Sequence, residues 1–202
     1  GRILAPERPW EDGSEVLGTV IHDGGLYRAW GSVGNWGDLK ARGEPFFCYF
    51  ESDDGFNWRR PDCGVLDYRG RSGTNLLAKD GGTVFLDPSA PSSERYKWIR
   101  PHMFSGEEFE RYAQRRPDDI DSRSIRRDEG KFAGVMGAVS ADGLHWHRLP
   151  EPLVMAHSDT QIVAHYDEAL GRYVGYFRDY YVGAKAAGYD DPNPIPWVFS
   201  GR

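Results

Sequence analysis

The chain has 202 residues and a formal net charge of -6, with 39% hydrophobic and 28% charged residues. That length suits one domain, and no apolar run approaches the ~18–20 residues a membrane-spanning helix needs. Aromatic residues make up 14% of the chain, including seven Trp, too much apolar surface for a disordered polymer. The acidic balance argues against a nucleic-acid partner and leaves neutral ligands such as sugars open.

Strand signals dominate in chain order. They are Gly18–His22, Leu26–Ser32, Phe46–Glu51, Asn57–Arg60, Thr83–Leu86, Tyr96–Arg100, Gly134–Ser140, His145–Leu149, Gln161–Tyr166 and Arg172–Arg178. Each is short, rich in β-branched or aromatic residues, and bounded by Gly, Pro, Asp or Asn. One stretch predicts a helix: Ser105 caps Gly106–Gln114, with acids in the first turn and Arg115 and Arg116 at the end. Pro117 to Gly130 predicts a loop. Cys48 and Cys63 make neither a disulfide framework nor a zinc site, and a single bridge between them stays open. No targeting segment is visible at Gly1, and the chain stops just past an apolar, strand-like stretch, so a piece of a longer protein is expected.

Internal repetition is the strongest signal. Ser52-Asp53-Asp54-Gly55-Phe56-Asn57-Trp58 recurs as Ser140-Ala141-Asp142-Gly143-Leu144-His145-Trp146, and both fit S-x-D-G-x-x-W. A second element occurs three times, an apolar strand ending in Asp and followed by a Tyr-led strand. Its copies are Thr19–Asp23 with Tyr27–Trp30, Thr83–Asp87 with Tyr96–Trp98, and Val163–Asp167 with Tyr173–Tyr176. Together these describe a repeated four-stranded antiparallel meander, the blade of a β-propeller. The predicted fold is therefore all-β: a partial propeller over 1–202 with about two and a half blades and one helical insertion. Blade one spans about 15–68, blade two about 74–150 with the insertion at 103–131, and blade three starts near 158. Closure takes four to eight blades, so the remainder of the propeller is expected beyond Arg202.

The turn chemistry explains the motif. Asp-Gly makes the tight turn because Gly accepts positive φ. The Ser and Asp oxygens accept backbone N–H groups, and the Trp returns along the next strand. Asp54 and Asp142 are therefore expected to be structural.

These hairpins resemble those of the five-bladed propeller glycoside hydrolases of families 32, 43, 68 and 130. Further matching strings are Pro9-Trp10-Glu11, Gly18–Ile21, Tyr27–Trp30, Glu51–Trp58, Asp87-Pro88, Glu94–Lys97, Ser158–Gln161 and Arg172–Arg178. They are similar to bacterial family-32/43-like proteins of mostly unassigned specificity. The resemblance implies hydrolysis of glycosidic bonds by carboxylates from the first three blades, facing a central channel. Asp159 takes the place of the general acid, with Asp where relatives carry Glu. Asp87, in an Asp-Pro element, takes the place of the second-blade acid. Glu15 and Glu11 are the acids nearest the first strand, where the family's Asn-Asp-Pro pattern is absent. Asp87 also shares its register with Asp23 and Asp167, a turn position. Arg178, Gln161 and Trp30 are the candidate substrate-binding residues.

No cofactor and no metal ligand set is implied, though a structural calcium in the channel, as in some relatives, stays open. The expected partner is a carbohydrate, with no nucleic acid and no membrane. Two alternatives stand beside a hydrolase. A family-130-like phosphorylase needs a basic cluster for phosphate. A non-catalytic carbohydrate-binding propeller gains weight from the unmatched first-blade acid.

Overall fold

The computed structural model describes residues 4–11, 14–34, 45–120, 125, 127–158 and 162–177. Among them the chain is all-β, with open antiparallel sheets and a single α-helix. No described helix is long and apolar enough to cross a membrane. Among the described residues, those up to Lys97 together with Ser140–Trp146 form one compact unit, and those within Trp98–Val139 and 147–177 form a second.

In the first unit, β1 (Ser14–Asp23), β2 (Leu26–Gly34), β3 (Phe46–Ser52) and β4 (Leu76–Ala78) form a sheet in that order. Asp23 pairs with Leu26 around Gly24 and Gly25. Their φ values of 62° and 81° are those of a two-residue hairpin turn whose twist matches the strands. Both faces of the sheet are covered. On one face Ala29, Val33, Cys48, Phe50 and Leu76 join Trp10 in a core flanked by Leu4, Phe46, Trp58, Leu66 and Tyr68. On the other, Trp30 lies between the rings of Tyr49 and Tyr96, at 5.4 and 5.7 Å. Double burial explains why Phe47–Phe50 is apolar without alternation.

The expected fourth strand at Asn57–Arg60 contributes one bridge only, Arg59 to Glu51. Pro61 follows, and without an N–H it cannot extend the ladder. The edge place goes to β4, which pairs with Phe47 and Cys48. Both cysteines are buried free thiols, and burial pushes Cys63 up to about 12.

β5 (Thr83–Leu86) runs beside β1. The Val84 N–H donates to Thr19 Oγ1 at 3.1 Å, and a Cβ on Gly18 would stand 3.1 Å from the Gly82 carbonyl oxygen. β6 (Tyr96–Phe104) begins in this unit.

The second unit holds the rest of β6, then α1 (Gly106–Arg115), β7 (Arg127–Asp128), β8 (Lys131–Ser140), β9 (His147–Arg148), β10 (Val163–Asp167) and β11 (Arg172–Tyr176). β8 pairs with β6, β7 and β9. The helix starts on a capping box. Ser105 accepts the Glu108 N–H, and the Glu108 carboxylate accepts the Ser105 N–H at 2.8 Å. It docks through Phe109, stacked on Phe132 at 4.0 Å, through buried Tyr112, and through ion pairs Arg148–Glu108 and Arg115–Glu151. The expected loop after it contains a 3-10 turn at Pro117–Asp119 and β7. β10 and β11 form a two-stranded hairpin.

Candidate functional site

The two S-x-D-G-x-x-W turns have the same geometry. Ser52 Oγ donates to Asp54 Oδ1 at 2.9 Å and accepts the Gly55 N–H at 2.9 Å. Asp54 Oδ1 accepts the N–H groups of Phe56 and Asn57, both at 2.8 Å. In the second copy Ser140, Asp142, Gly143, Leu144 and His145 repeat these bonds to within 0.1 Å. Asp54 Oδ2 takes the Asn57 side-chain amide, and Asp142 Oδ2 meets His145 Nδ1 at 2.8 Å. The N–H groups of Asn57 and Phe56 hold the Asp54 carboxyl well below the usual carboxylate range. At Asp142 burial opposes the charge, but the bonds from His145, Leu144 and Ser140 outweigh it and lower the carboxyl likewise. Both acids are engaged in local turns.

Glu11 is fully buried. Its Oε2 accepts the N–H groups of Glu7 and Arg8 at 2.8 and 3.1 Å, and its Oε1 meets Arg60 Nε at 2.5 Å. Arg60 also donates to the Ala5 carbonyl at 2.8 Å and lies 5.3 Å over the Phe50 ring. Glu11 thus ties residues 5–8 to the first sheet, with both oxygens in use.

Asp87 is buried directly after β5. Its Oδ1 accepts from Ser89 N–H at 2.9 Å, Ser89 Oγ at 2.6 Å and Ala90 N–H at 3.2 Å, closing an Asx turn over Pro88. Glu15 lies near the start of β1, its backbone opposite Val33. Gly18 meets Gly82 and Thr19 meets Val84, so β1 and β5 run side by side in the same direction and Asp87 lies at the Asp23 end of that pair. The Asp87 N–H donates to the carbonyl of Arg95, whose guanidinium bonds Asp23. Eight strand residues separate Glu15 from Asp23, on the order of 25 Å. The fold therefore does not bring Asp87 and Glu15 together. Trp30 is fully buried, its rings covered by Tyr49 and Tyr96 and its N–H donated to the Gly143 carbonyl at 2.8 Å. Asp159, Gln161 and Arg178 lie outside the described residues.

A charged network unites residues the sequence did not single out as a site. Asp23 accepts from Arg95 at 2.7 Å and from the Tyr96 hydroxyl at 2.5 Å. Arg28 lies 4.0 Å from Asp23 and donates to the Tyr49 hydroxyl at 2.8 Å. Tyr49 in turn faces Glu51 at 3.5 Å, and Arg59 pairs with Glu51 and Asp53. The Tyr96 hydroxyl bond, against some burial, and then Arg95 hold Asp23 below the usual carboxylate range. Burial pushes Tyr49 and Tyr96 up to about 12. The available signal was the recurrence of Asp at the end of the first strand in all three copies, which reads as a turn residue until the neighbouring Arg-Tyr is seen beside it.

No protein-family model matches the chain, and no curated protein matches it. Among solved structures the chain is similar to the BT0996 RGII complex, with 14% identity, 87% of this chain and 68% of that protein covered, and a TM-score of 0.32. Fold and site together define an all-β protein of repeated antiparallel hairpins, with the carboxylates of Glu11, Asp23, Asp54, Asp87 and Asp142 tied into turns and ion pairs.

Proposed function

We propose that the chain is part of a β-propeller that hydrolyses glycosidic bonds of a poly- or oligosaccharide, with Asp159 as general acid and Glu15 as the opposing carboxylate. One observation carries this reading. Counting back four positions from the aligned strand residues Thr19 and Val163 reaches Glu15 and Asp159, so the repeat assigns both acids to the same end of the first strand in copies one and three. Radially stacked meanders direct that end toward a shared axis. There one carboxyl donates its proton to the leaving oxygen while the other, ionised, acts as base or nucleophile. Gln161 and Arg178, flanking the strands of copy three, bind sugar hydroxyls.

The test is release of reducing sugar from arabinose-, xylose- and fructose-containing oligosaccharides. Asp159→Asn and Glu15→Gln each lower kcat by roughly 10²–10⁴-fold with the fold retained. Unchanged turnover in Asp159→Asn removes it from the reaction. A strict requirement for phosphate redirects the reading to phosphorolysis. The commitment of Glu11 to Arg60 and to backbone N–H groups, and of Asp87 to its own turn, favours a second reading, a propeller that binds carbohydrate without cleaving it. Sugar binding with no turnover by the wild-type protein supports that reading.

A further inference from the structure

An Asp-Gly pair is prone to cyclise, because glycine has no Cβ to shield its nitrogen from the aspartyl carboxyl. The nitrogen bonds to Cγ, the carboxyl hydroxyl departs with the amide proton as water, and a five-membered imide forms. Water then opens the imide at either carbonyl. Opening at Cγ returns aspartate. Opening at the other carbonyl leaves isoaspartate, with the main chain rerouted through Cβ and Cγ and no net change in mass.

Both S-x-D-G-x-x-W turns contain this pair, and in both the serine engages the reacting nitrogen. Ser52 Oγ accepts the Gly55 N–H at 2.9 Å and donates to Asp54 Oδ1 at 2.9 Å; Ser140 makes the same two bonds to Gly143 and Asp142. The turn bonds also keep both carboxyls ionised, whereas loss of water starts from the protonated acid.

The two turns differ in what lies over the glycine. Gly143 is buried, its carbonyl accepts the Trp30 N–H at 2.8 Å, and a Cβ there would stand 2.6 Å from Trp30 Cζ2. Swinging its nitrogen onto Asp142 Cγ moves the Gly143 Cα and carbonyl with it, which breaks the Trp30 bond and presses backbone into the ring. Over Gly55 the nearest atoms to a Cβ are 3.8 Å away on Tyr27, its carbonyl accepts the Trp58 N–H of its own turn at 3.1 Å, and Phe56 beside it is 73% exposed.

We infer that Asp54-Gly55 is a site of spontaneous isoaspartate formation, that Ser52 restrains it, and that Trp30 protects the matching Asp142-Gly143 pair beyond what Ser140 supplies. Isoaspartate at position 54 lengthens the main chain by one atom and shortens the carboxylate's stem, so the bonds from the Phe56 and Asn57 N–H groups are lost and the turn opens. The inference does not depend on any sugar chemistry.

The test follows the intact chain as it ages in warm neutral buffer. Electron-transfer fragmentation of the peptides bearing Asp54 and Asp142 separates isoaspartate from aspartate at equal mass, and isoaspartyl methyltransferase labelling gives the total. In the wild-type chain isoaspartate accumulates at Asp54 ahead of Asp142. Ser52→Ala raises the rate at Asp54 roughly tenfold, the value of one lost hydrogen bond at a reacting group, and leaves Asp142 at its wild-type rate. Ser52→Thr, which keeps the hydroxyl, stays near wild type, and Ser140→Ala speeds Asp142 far less than Ser52→Ala speeds Asp54. Equal accumulation at both positions in the wild-type chain overturns the proposal. So does an Asp54 rate unmoved by Ser52→Ala, or one that rises together with Asp142, which marks general unfolding rather than release of one turn. Equal effects of the two alanine variants on their own turns refute the role of Trp30.

Discussion

Trp30 donates its indole N–H to the carbonyl of Gly143, 113 residues further along the chain, at 2.8 Å. The contact joins the first sheet to the second copy of the turn motif. It also makes the two motif glycines unequal. Both have positive φ, 77° at Gly55 and 78° at Gly143. A Cβ on Gly143 would stand 2.6 Å from Trp30 Cζ2, whereas on Gly55 the nearest atoms are 3.8 Å away on Tyr27.

Gly55→Ala is therefore expected to cost about 1 kcal/mol, the cost of a left-handed conformation for a residue with a Cβ. Gly143→Ala adds the displacement of a buried indole, a further ~1–3 kcal/mol. Urea unfolding of the two variants measures the difference, and equal midpoints would contradict the packing described.

The turn acids predict an acid-sensitive fold. Asp54 and Asp142 are both lowered from 3.8. A depressed folded pKa contributes stability that is present above the unfolded value and is lost as pH falls through the folded one. Stability should therefore drop below about pH 4, and the Asp54→Asn, Asp142→Asn double variant should show a flatter acid limb. Thermal melts from neutral pH down through the carboxylate range read this directly.

Alkaline behaviour follows from two buried phenols, Tyr49 on β3 and Tyr96 on β6. Tyr49 and Tyr96 are raised from 10.0 to about 12. A raised folded pKa means stability that is complete below the unfolded value and declines as pH climbs from 10 through 12. Phenolate absorbance should show both of these tyrosines titrating late and together with unfolding, alongside Tyr112, which burial also raises. Tyr96→Phe should lose one late step and, by leaving Asp23 one donor short, destabilise the fold by about 1–3 kcal/mol.

Glu11 and Arg60 form a buried pair, their side chains 0% and 3% exposed. Glu11→Leu leaves a guanidinium buried without its main partner and should cost about 3–5 kcal/mol. Replacing both, Glu11→Leu with Arg60→Met, should be milder than the single change. A double-mutant cycle by urea denaturation decides it, and additive losses would mean that the pair is not coupled.

What could be read in the amino-acid order was whatever closes over a few residues. The helix at Gly106–Arg115 was legible because Ser105 and Glu108 cap it across three positions. The S-x-D-G-x-x-W turns were legible because each bond runs from residue i to i+2 or i+3. Strand positions followed from β-branched and aromatic clusters, and repetition tied the three copies together. Tertiary structure alone decided which face a side chain met and what met it. Leu76–Ala78 took the sheet edge that local propensity assigned to Asn57–Arg60, because an edge is filled by whichever segment can supply a ladder. Glu11 reached Arg60 across 49 residues, and Asp23 reached Tyr96 across 73. A carboxylate reads the same in sequence whether it faces solvent, substrate or an arginine; only the chain's path in space chooses among them.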